Sequence, residues 1–436
     1  MAYSVLTPGR KYYVLVSLTL GYSISLADQG LIALLLQPIK EDLGLSDTQL
    51  GFLTGAAFAI CYTAFGIPVA RWTDRGNRVT IVSLALGLWG LAVMACFFVG
   101  SFIQLVLARV AASVGGAGSM PPTYSLIGDY FSSTSSRVRA MTIYTLATPL
   151  SLFFSYVAGG WLNNFYGWRI AFAAVGAPAL IIAAVVKLTV TEPRTQQTSV
   201  GALPSTVSVL RTLWLRRSSR HLTVGLILLF TMGYALAPWE ATFLMRSHHM
   251  NTVTLGIWMG LVLGLGGIFG TLLGGYLAEI WFADDERNQM RLIALSLVLV
   301  VPCFTLFLML PNTLHVLVAF VLFTILLSLF FGPTFALIQR LVTREMRATT
   351  LALVMLICNL IGMGMGPQIV GVLSDFFVPV AGVNSLRYAM LVVSSVAFWA
   401  AYHFWQVGRT IAEDIEIVQT DSSNMFGPTG ILQSLE

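Results

Sequence analysis

Twelve apolar stretches, each long enough to cross a bilayer as a helix, follow one another along the chain. They lie at about 12–37, 47–70, 79–99, 102–130, 139–163, 168–189, 221–246, 253–280, 291–310, 313–339, 348–375 and 386–407. A helix needs about 20 apolar residues to cross ~30 Å of hydrocarbon, and within lipid only helices and closed barrels satisfy their own backbone groups. Composition excludes the alternatives. Only 10% of the 436 residues are charged and 57% are hydrophobic, with a mean hydropathy of +0.82. A water-facing surface of this size needs far more charge, and a disordered chain far less apolar residue. The expected fold class is an all-α membrane protein with twelve transmembrane helices. Cys61, Cys96, Cys303 and Cys358 all fall inside apolar stretches, without metal-site spacing and with no sign of a disulfide framework. Met1-Ala2-Tyr3-Ser4 has neither a cationic leader nor a myristoylation pattern, so the first apolar stretch is expected to remain as a span.

The longest polar stretch, 190–220, divides the spans six and six. The expected organisation is a six-helix half at 1–189, a cytoplasmic linker at 190–220, a second six-helix half at 221–407, and a polar, flexible cytoplasmic tail at 408–436. An even number of spans puts both termini on one side. Nineteen basic residues fall on that side, among them Arg71, Arg137, Arg194, Arg211, Arg344 and Arg409. Four fall on the other (Lys40, Arg169, Arg246 and Arg387), and Arg109 lies within a span. Basic loops stay cytoplasmic, which places both termini inside a cytoplasmic (inner) membrane and explains the pI of 9.1 without any nucleic acid.

The two halves repeat each other. Leu50-Gly51-x-x-x-Gly55 returns as Leu255-Gly256-x-x-x-Gly260, Pro122-Thr-Tyr-Ser-Leu-Ile127 as Pro333-Thr-Phe-Ala-Leu-Ile338, and Arg139-Ala-Met-Thr142 as Arg347-Ala-Thr-Thr350. The spacing is nearly constant, and Leu26-Ala27 recurs as Leu236-Ala237 in the same frame. Six-plus-six repeats of this kind place a binding site between pseudo-symmetric halves near midplane. Gly256, Gly260 and Gly264, then Gly266, Gly270 and Gly274, form two runs at spacing four that let another backbone approach closely.

Ionisable residues inside spans are costly and therefore functional candidates. Asp28, Arg109 and Glu240 are the deep ones. Asp28 and Arg109 lie at similar depths, so they are expected to pair, with a proton on Asp28 competing with the pairing. Glu240, after Pro238-Trp239, could bind a cationic group, carry a proton or face a vestibule. Gln29, Tyr124, Tyr144, Trp239 and Asn359 are candidates to line a cavity, with Gln368 beside them. No cofactor, metal site or P-loop is expected, and the coupling ion is expected to be the proton. Enzymatic chemistry is not expected, because no paired acids or His/Cys cluster share a depth. A channel would want subunit symmetry or a filter motif. Few cavity charges argue against sugar phosphates and nucleotides.

The segment Ala70-Arg71-Trp72-Thr73-Asp74-Arg75-Gly76-Asn77-Arg78 resembles the G-x-L-A-D-R-x-G-R-K loop of the major facilitator superfamily. Gly275-Tyr276-Leu277-Ala278-Glu279 is its second-half copy. Arg109 with Gly115, and Glu192-Pro193-Arg194, are also similar to the family pattern, over about residues 12–407. Within the family the first half is most similar to the Spinster group, through Ala27-Asp28, Asp74-Arg75-x-Asn77-Arg78 and the run from Arg109 through Gly115 to Pro122. Two charges of that group are absent together: Gln29 replaces an arginine after Asp28, and Gly116 replaces a glutamate in the fourth span. The resemblance implies a secondary active transporter working by rocker-switch alternating access. It also implies a cytoplasmic gate at Asp74, Arg75, Arg78, Arg139 and Glu279, with Arg137 a further partner, and central positions for Tyr124 and Asn359. The expected partners are a small-molecule substrate and the lipid bilayer, for a functional monomer. The expected substrate is an organic anion or an amphipathic, lipid-like solute. The alternative is export of drugs or other amphipathic compounds.

Overall fold

The computed structural model describes residues 7–131, 133–193, 206–282, 285–342 and 346–426. Among them every regular element is helical: α1 (Pro8–Leu43), α2 (Asp47–Thr54), α3 (Ala56–Arg75), α4 (Arg78–Ala95), α5 (Phe102–Ala117), α6 (Met120–Tyr130), α7 (Thr134–Thr145), α8 (Ala147–Tyr166), α9 (Trp168–Thr189), α10 (Thr206–Leu215), α11 (Arg217–His248), α12 (Thr252–Met259), α13 (Gly267–Phe282), α14 (Glu286–Met309), α15 (Thr313–Ser328), α16 (Phe331–Arg340), α17 (Arg347–Ala381), α18 (Ser385–Ser394) and α19 (Val396–Phe426). Arg194 and Arg344, counted above for sidedness, lie outside the described residues.

Eleven helical runs are long and apolar enough to cross a membrane, and the last covers 68 residues, Thr349–Glu416. At 1.5 Å per residue that run would extend ~100 Å, more than three hydrocarbon thicknesses. It is broken at Gly382–Asn384, where Gly382 takes a φ of 53°, and so makes two traverses. The twelve spans are thus α1, α2–α3, α4, α5–α6, α7–α8, α9, α11, α12–α13, α14, α15–α16, α17 and α18–α19. We call the side holding both termini the terminal face and the other the distal face.

Several spans are two helices in series, and the break positions have local causes. Pro149 cannot donate to the carbonyl one turn back, and α7 gives way to α8 at Leu146. Pro121-Pro122 follows the α5–α6 break, and Pro333 the α15–α16 break. Between α12 and α13 the backbone makes a π-helical turn, Gly260–Gly266. The two glycine runs meet inside this turn and have different partners. Gly256 and Gly260 abut Tyr156 and Phe153 of α8, whereas Gly270 abuts Ile325 of α15. The second run starts two residues after the first ends, about 200° round the helix, so the two face different neighbours.

Packing divides the described chain into two compact units that do not follow the sequence halves. The first comprises Met1–Thr198, Ala235–Leu265 and Met363–Met390, and the second Ser199–Tyr234, Gly266–Gly362 and Leu391–Glu436. The first unit therefore takes in the distal parts of α11, α12, α17 and α18. Its apolar core includes Leu15, Leu18, Val82, Leu126, Tyr130 and Tyr144. The second packs α14 against α19 on one side and against α15 on another, the latter through Phe304, Phe307, Phe320 and Phe323.

Two segments are more ordered than the sequence suggested. Within the 190–220 linker, Thr206–Leu215 is a helix whose Val209 and Leu213 are buried. Beyond Gly408, where a flexible tail was expected, α19 continues to Phe426. Val407 and Ile411 are buried there, and Asp414 accepts from the Ser218 amide at 2.7 Å, capping the start of α11.

Gly51 of α2 tests this packing: a Cβ there would lie 2.6 Å from the Pro367 carbonyl of α17. Gly66 of α3 has nothing within 4 Å of its would-be Cβ. Gly51→Ala should therefore destabilise the purified protein by about 1–3 kcal/mol, whereas Gly66→Ala should be neutral or stabilising by up to about 1 kcal/mol. Thermal unfolding in one detergent reads the difference, and equal effects would refute the contact.

Candidate functional site

Within the first unit, α1 and α5 bring Asp28 and Arg109 together deep in the bundle. Arg109 Nη1 donates to Asp28 Oδ2, and the two side chains are 3% and 2% exposed. Asp28 lies 15 residues from the distal end of α1, ~22 Å, and Arg109 seven residues from the start of α5, ~10 Å. The two meet because α1 runs on past Pro38 to Leu43, beyond the end the sequence suggested. The pair is single-ended. Asp28 Oδ1 and Arg109 Nε are buried without a partner, and the guanidinium sits 5.3 Å above the Phe58 ring. Replacing either member strands a buried charge, a loss of about 3–5 kcal/mol.

An aromatic wall stands in the same unit. Tyr22 stacks on Tyr144 at 4.8 Å, Tyr124 meets Tyr144 edge-on at 5.4 Å, and Tyr62 stacks on Phe58 at 5.8 Å. Of the expected cavity residues, Tyr124 is half-buried and Gln29 exposed. Tyr144 is wholly buried, so it supports the wall from behind. Trp239 is also wholly buried, its Nε1 donating to the Pro367 carbonyl at 3.2 Å, which makes it a helix-packing group. Glu240 beside it is 3% exposed, and its Oε2 has no partner. Asn359 belongs to the second unit, where its Oδ1 accepts from the Tyr234 hydroxyl at 2.9 Å. Tyr22 and Tyr62 were missed from sequence, since one tyrosine in an apolar run carries no sign of which face it occupies.

On the terminal face, Arg78 is fully buried at the start of α4. It donates to Glu192 (2.5 and 3.0 Å), Asp129 (2.7 Å) and Ser125 (2.7 Å), and its amide donates to Glu192 at 2.7 Å. Arg78 thus braces α4, α6 and the segment after α9 inside one unit. Arg137 instead donates to the Phe131 and Gly128 carbonyls. Arg75, Arg139 and Glu279 are exposed. The Asp74 side chain lies outside those described. Glu192 was visible as part of Glu-Pro-Arg, but its partner was not.

The distal face holds a cluster that the sequence reading treated only as topology and interfacial charge. Asp47, 1% exposed, accepts from both Arg246 Nη atoms (2.8 and 2.7 Å), Lys40 Nζ (2.5 Å) and Ser374 Oγ (2.6 Å). The Asp47 and Thr48 amides donate to Asp375 at 3.1 and 2.7 Å, so a carboxylate sits on the N-terminus of α2. Arg246 Nε reaches Gln37 at 2.7 Å. Five hydrogen-bonded groups from α1, α11 and α17 therefore converge on the start of α2. Ser46 and Gln49 close a capping box at the same helix start. The repeat builds the same joint again between α8 and α12, without charge: Thr252 Oγ1 donates to the Gly160 carbonyl at 3.0 Å and accepts from Asn163 at 3.3 Å. A cavity of about 490 Å³ opens beside it, lined by Gln37, Glu41, Asn164, Arg246, His249 and Asn251 among others.

Arg246→Ala should leave Asp47 with Lys40 as its cation and lower stability by about 1.5–3 kcal/mol. Arg340→Ala, which removes the surface Arg340–Glu286 pair (51% and 15% exposed), should cost about 0–1 kcal/mol. Similar unfolding midpoints for the two variants would contradict the burial of this cluster.

Comparison with known proteins follows the same lines. A family model described as Major Facilitator Superfamily matches residues 18–367. An "MFS-type efflux pump" of Mycolicibacterium smegmatis is 32% identical over 413 residues, 94% of this chain and 95% of that one. "Protein spinster homolog 1" of Xenopus tropicalis is 25% identical over 423 residues, covering 89% of this chain and 78% of that one. A solved bacterial homolog of the human lysosomal transporter Spinster, inward-facing and unoccupied, superposes with a TM-score of 0.85. Its identity is 29%, over 94% of this chain and 98% of that one.

Proposed function

Because the chain belongs to the Major Facilitator Superfamily, with a structural match of Spinster-like type, we propose that it is a proton-coupled secondary transporter for amphipathic organic anions. It works by alternating access in a cytoplasmic membrane with both termini inside. The observation that carries this reading is the single-ended, buried Asp28–Arg109 pair. An ionised Asp28 occupies Arg109. A proton on Asp28 removes that charge and leaves the guanidinium for an anionic head group. Tyr22, Tyr62 and Tyr124 offer faces to the apolar body of such a solute. The Asp28 carboxylate and the solute would then use the same arginine in turn, so the solute binds together with a proton, which is the elementary requirement of proton–solute symport.

The sidedness rests on the basic residues. The efflux-pump name of the relative from M. smegmatis supports a role in moving solutes across the membrane. Within the first unit, the joints between α2 and α17 and between α8 and α12 would hold the outer side shut, and the Asp47–Arg246 cluster is the stronger of them.

Reconstitution in proteoliposomes tests the coupling. A one-unit pH gradient drives about tenfold accumulation through a single coupled proton. Asp28→Asn should abolish that accumulation and leave solute counterflow in place, while Arg109→Gln should remove both. Undiminished proton-driven uptake by Asp28→Asn would overturn the assignment.

A further inference from the structure

Glu240 is the one deep acid that the Asp28–Arg109 scheme does not use. It sits on the distal part of α11, which packs inside the first unit together with α1, α8 and α17. It is 3% exposed, one carboxylate oxygen has no partner, and no cation among the described residues forms an ion pair with it. The groups facing this stretch can be named element by element. From α8, Tyr156 lies within range of its charge. From α17, Pro367 meets it through the Trp239 indole. From α18, Arg387 lies 5.7 Å above the Phe243 ring, almost one turn along α11. From α1, Gly30 abuts Ser155 and Tyr156, and Asp28, two residues before it, is already paired with Arg109. Asp47 and Arg246, the charged pair nearer the helix end, are satisfied by each other.

A lone ionised carboxylate in such surroundings is costly by many kcal/mol, whereas the neutral acid needs only ordinary packing. We propose that Glu240 is a second proton-binding site, separate from Asp28, and that closing the distal face requires its protonation. The geometry gives the linkage its direction. With the distal face closed, Glu240 is buried without a counter-charge and carries a proton. When the distal part of α11 leaves the first-half helices, water reaches the carboxyl and the proton departs to that side. Raising the pH therefore favours the distal-open state, and lowering it favours closure. The proposal rests on the transporter reading only in assuming that such an open state exists.

The test is a distance measurement between spin labels on two exposed distal connections, at Phe98→Cys and Val383→Cys, 82% and 87% exposed. It uses full-length protein in nanodiscs with Cys61, Cys96, Cys303 and Cys358 replaced by alanine. One proton released on opening makes the open-to-closed ratio rise by up to about tenfold per pH unit, within a window between about pH 5 and 9. Glu240→Gln should stay closed, with a ratio that changes less than about twofold over that window. Glu240→Asp, which keeps the carboxyl, should retain the slope with a moved midpoint. Asp28→Asn should retain the slope contributed by Glu240. If Glu240→Gln does not fold, Glu240→Met, neutral and of similar length, takes its place. A parent slope that survives in the neutral variants, or vanishes in Asp28→Asn, would overturn the proposal. A slope that persists in protein showing no solute flux would leave this site standing and sink the transport reading instead.

Discussion

A charge held away from water must be matched at close range, and most of what is specific in this structure follows from that. Any apolar sequence with the right breaks would make twelve spans, but the charges decide which spans touch and where. Arg78 gathers Glu192, Asp129 and Ser125 and so joins the ends of three first-half segments. Asp47 gathers Arg246, Lys40 and Ser374 and so ties helices from both sequence halves to the start of α2. Asp28 and Arg109 are matched by a single hydrogen bond, and Glu240 has no matching charge. The order runs from groups braced on several sides to one that is braced on none. Fixed brackets belong at the first end of that order and titrating groups at the second.

Much of the architecture was legible because lipid imposes a length. The spans, the two-fold repeat and the encounter of Asp28 with Arg109 came from counting apolar residues and comparing depths. The breaks inside spans were less visible, although Pro149, Pro333 and the out-of-step glycine runs at Gly264 and Gly266 marked three of them. The compact units were not legible. Sequence repeats mark halves related by descent, whereas packing follows contacts, and the distal ends of α11, α12, α17 and α18 pack with the other half's helices. The ordered end of α19 was hidden by its polarity, since a helix with one apolar face reads as a tail when only average hydropathy is weighed.

The site residues divide in the same way. Charged candidates were found because an ionisable residue in an apolar run stands out singly. The aromatic wall was only partly found, because Tyr22, Tyr124 and Tyr144 become a surface only when three helices are placed side by side. The distal cluster was missed for a related reason. Lys40, Arg246 and Asp375 each looked like a charge at a water boundary, and nothing local distinguished them from solvated ones. Asp47 in the same cluster is almost inaccessible to solvent.

The joint built twice on the distal face has a consequence for how such a bundle comes apart. Between α8 and α12 the seam is closed by a hydroxyl, a side-chain amide and one backbone carbonyl, none of which needs a counter-ion. Parting it asks little of the solvent. Between α2 and α17 the seam encloses two carboxylates, an ammonium and a guanidinium. Those groups can separate only as fast as hydration shells form around each of them. The first seam would behave as a crease and the second as a front that must be wetted, so the path from closed to open is set by where water enters first.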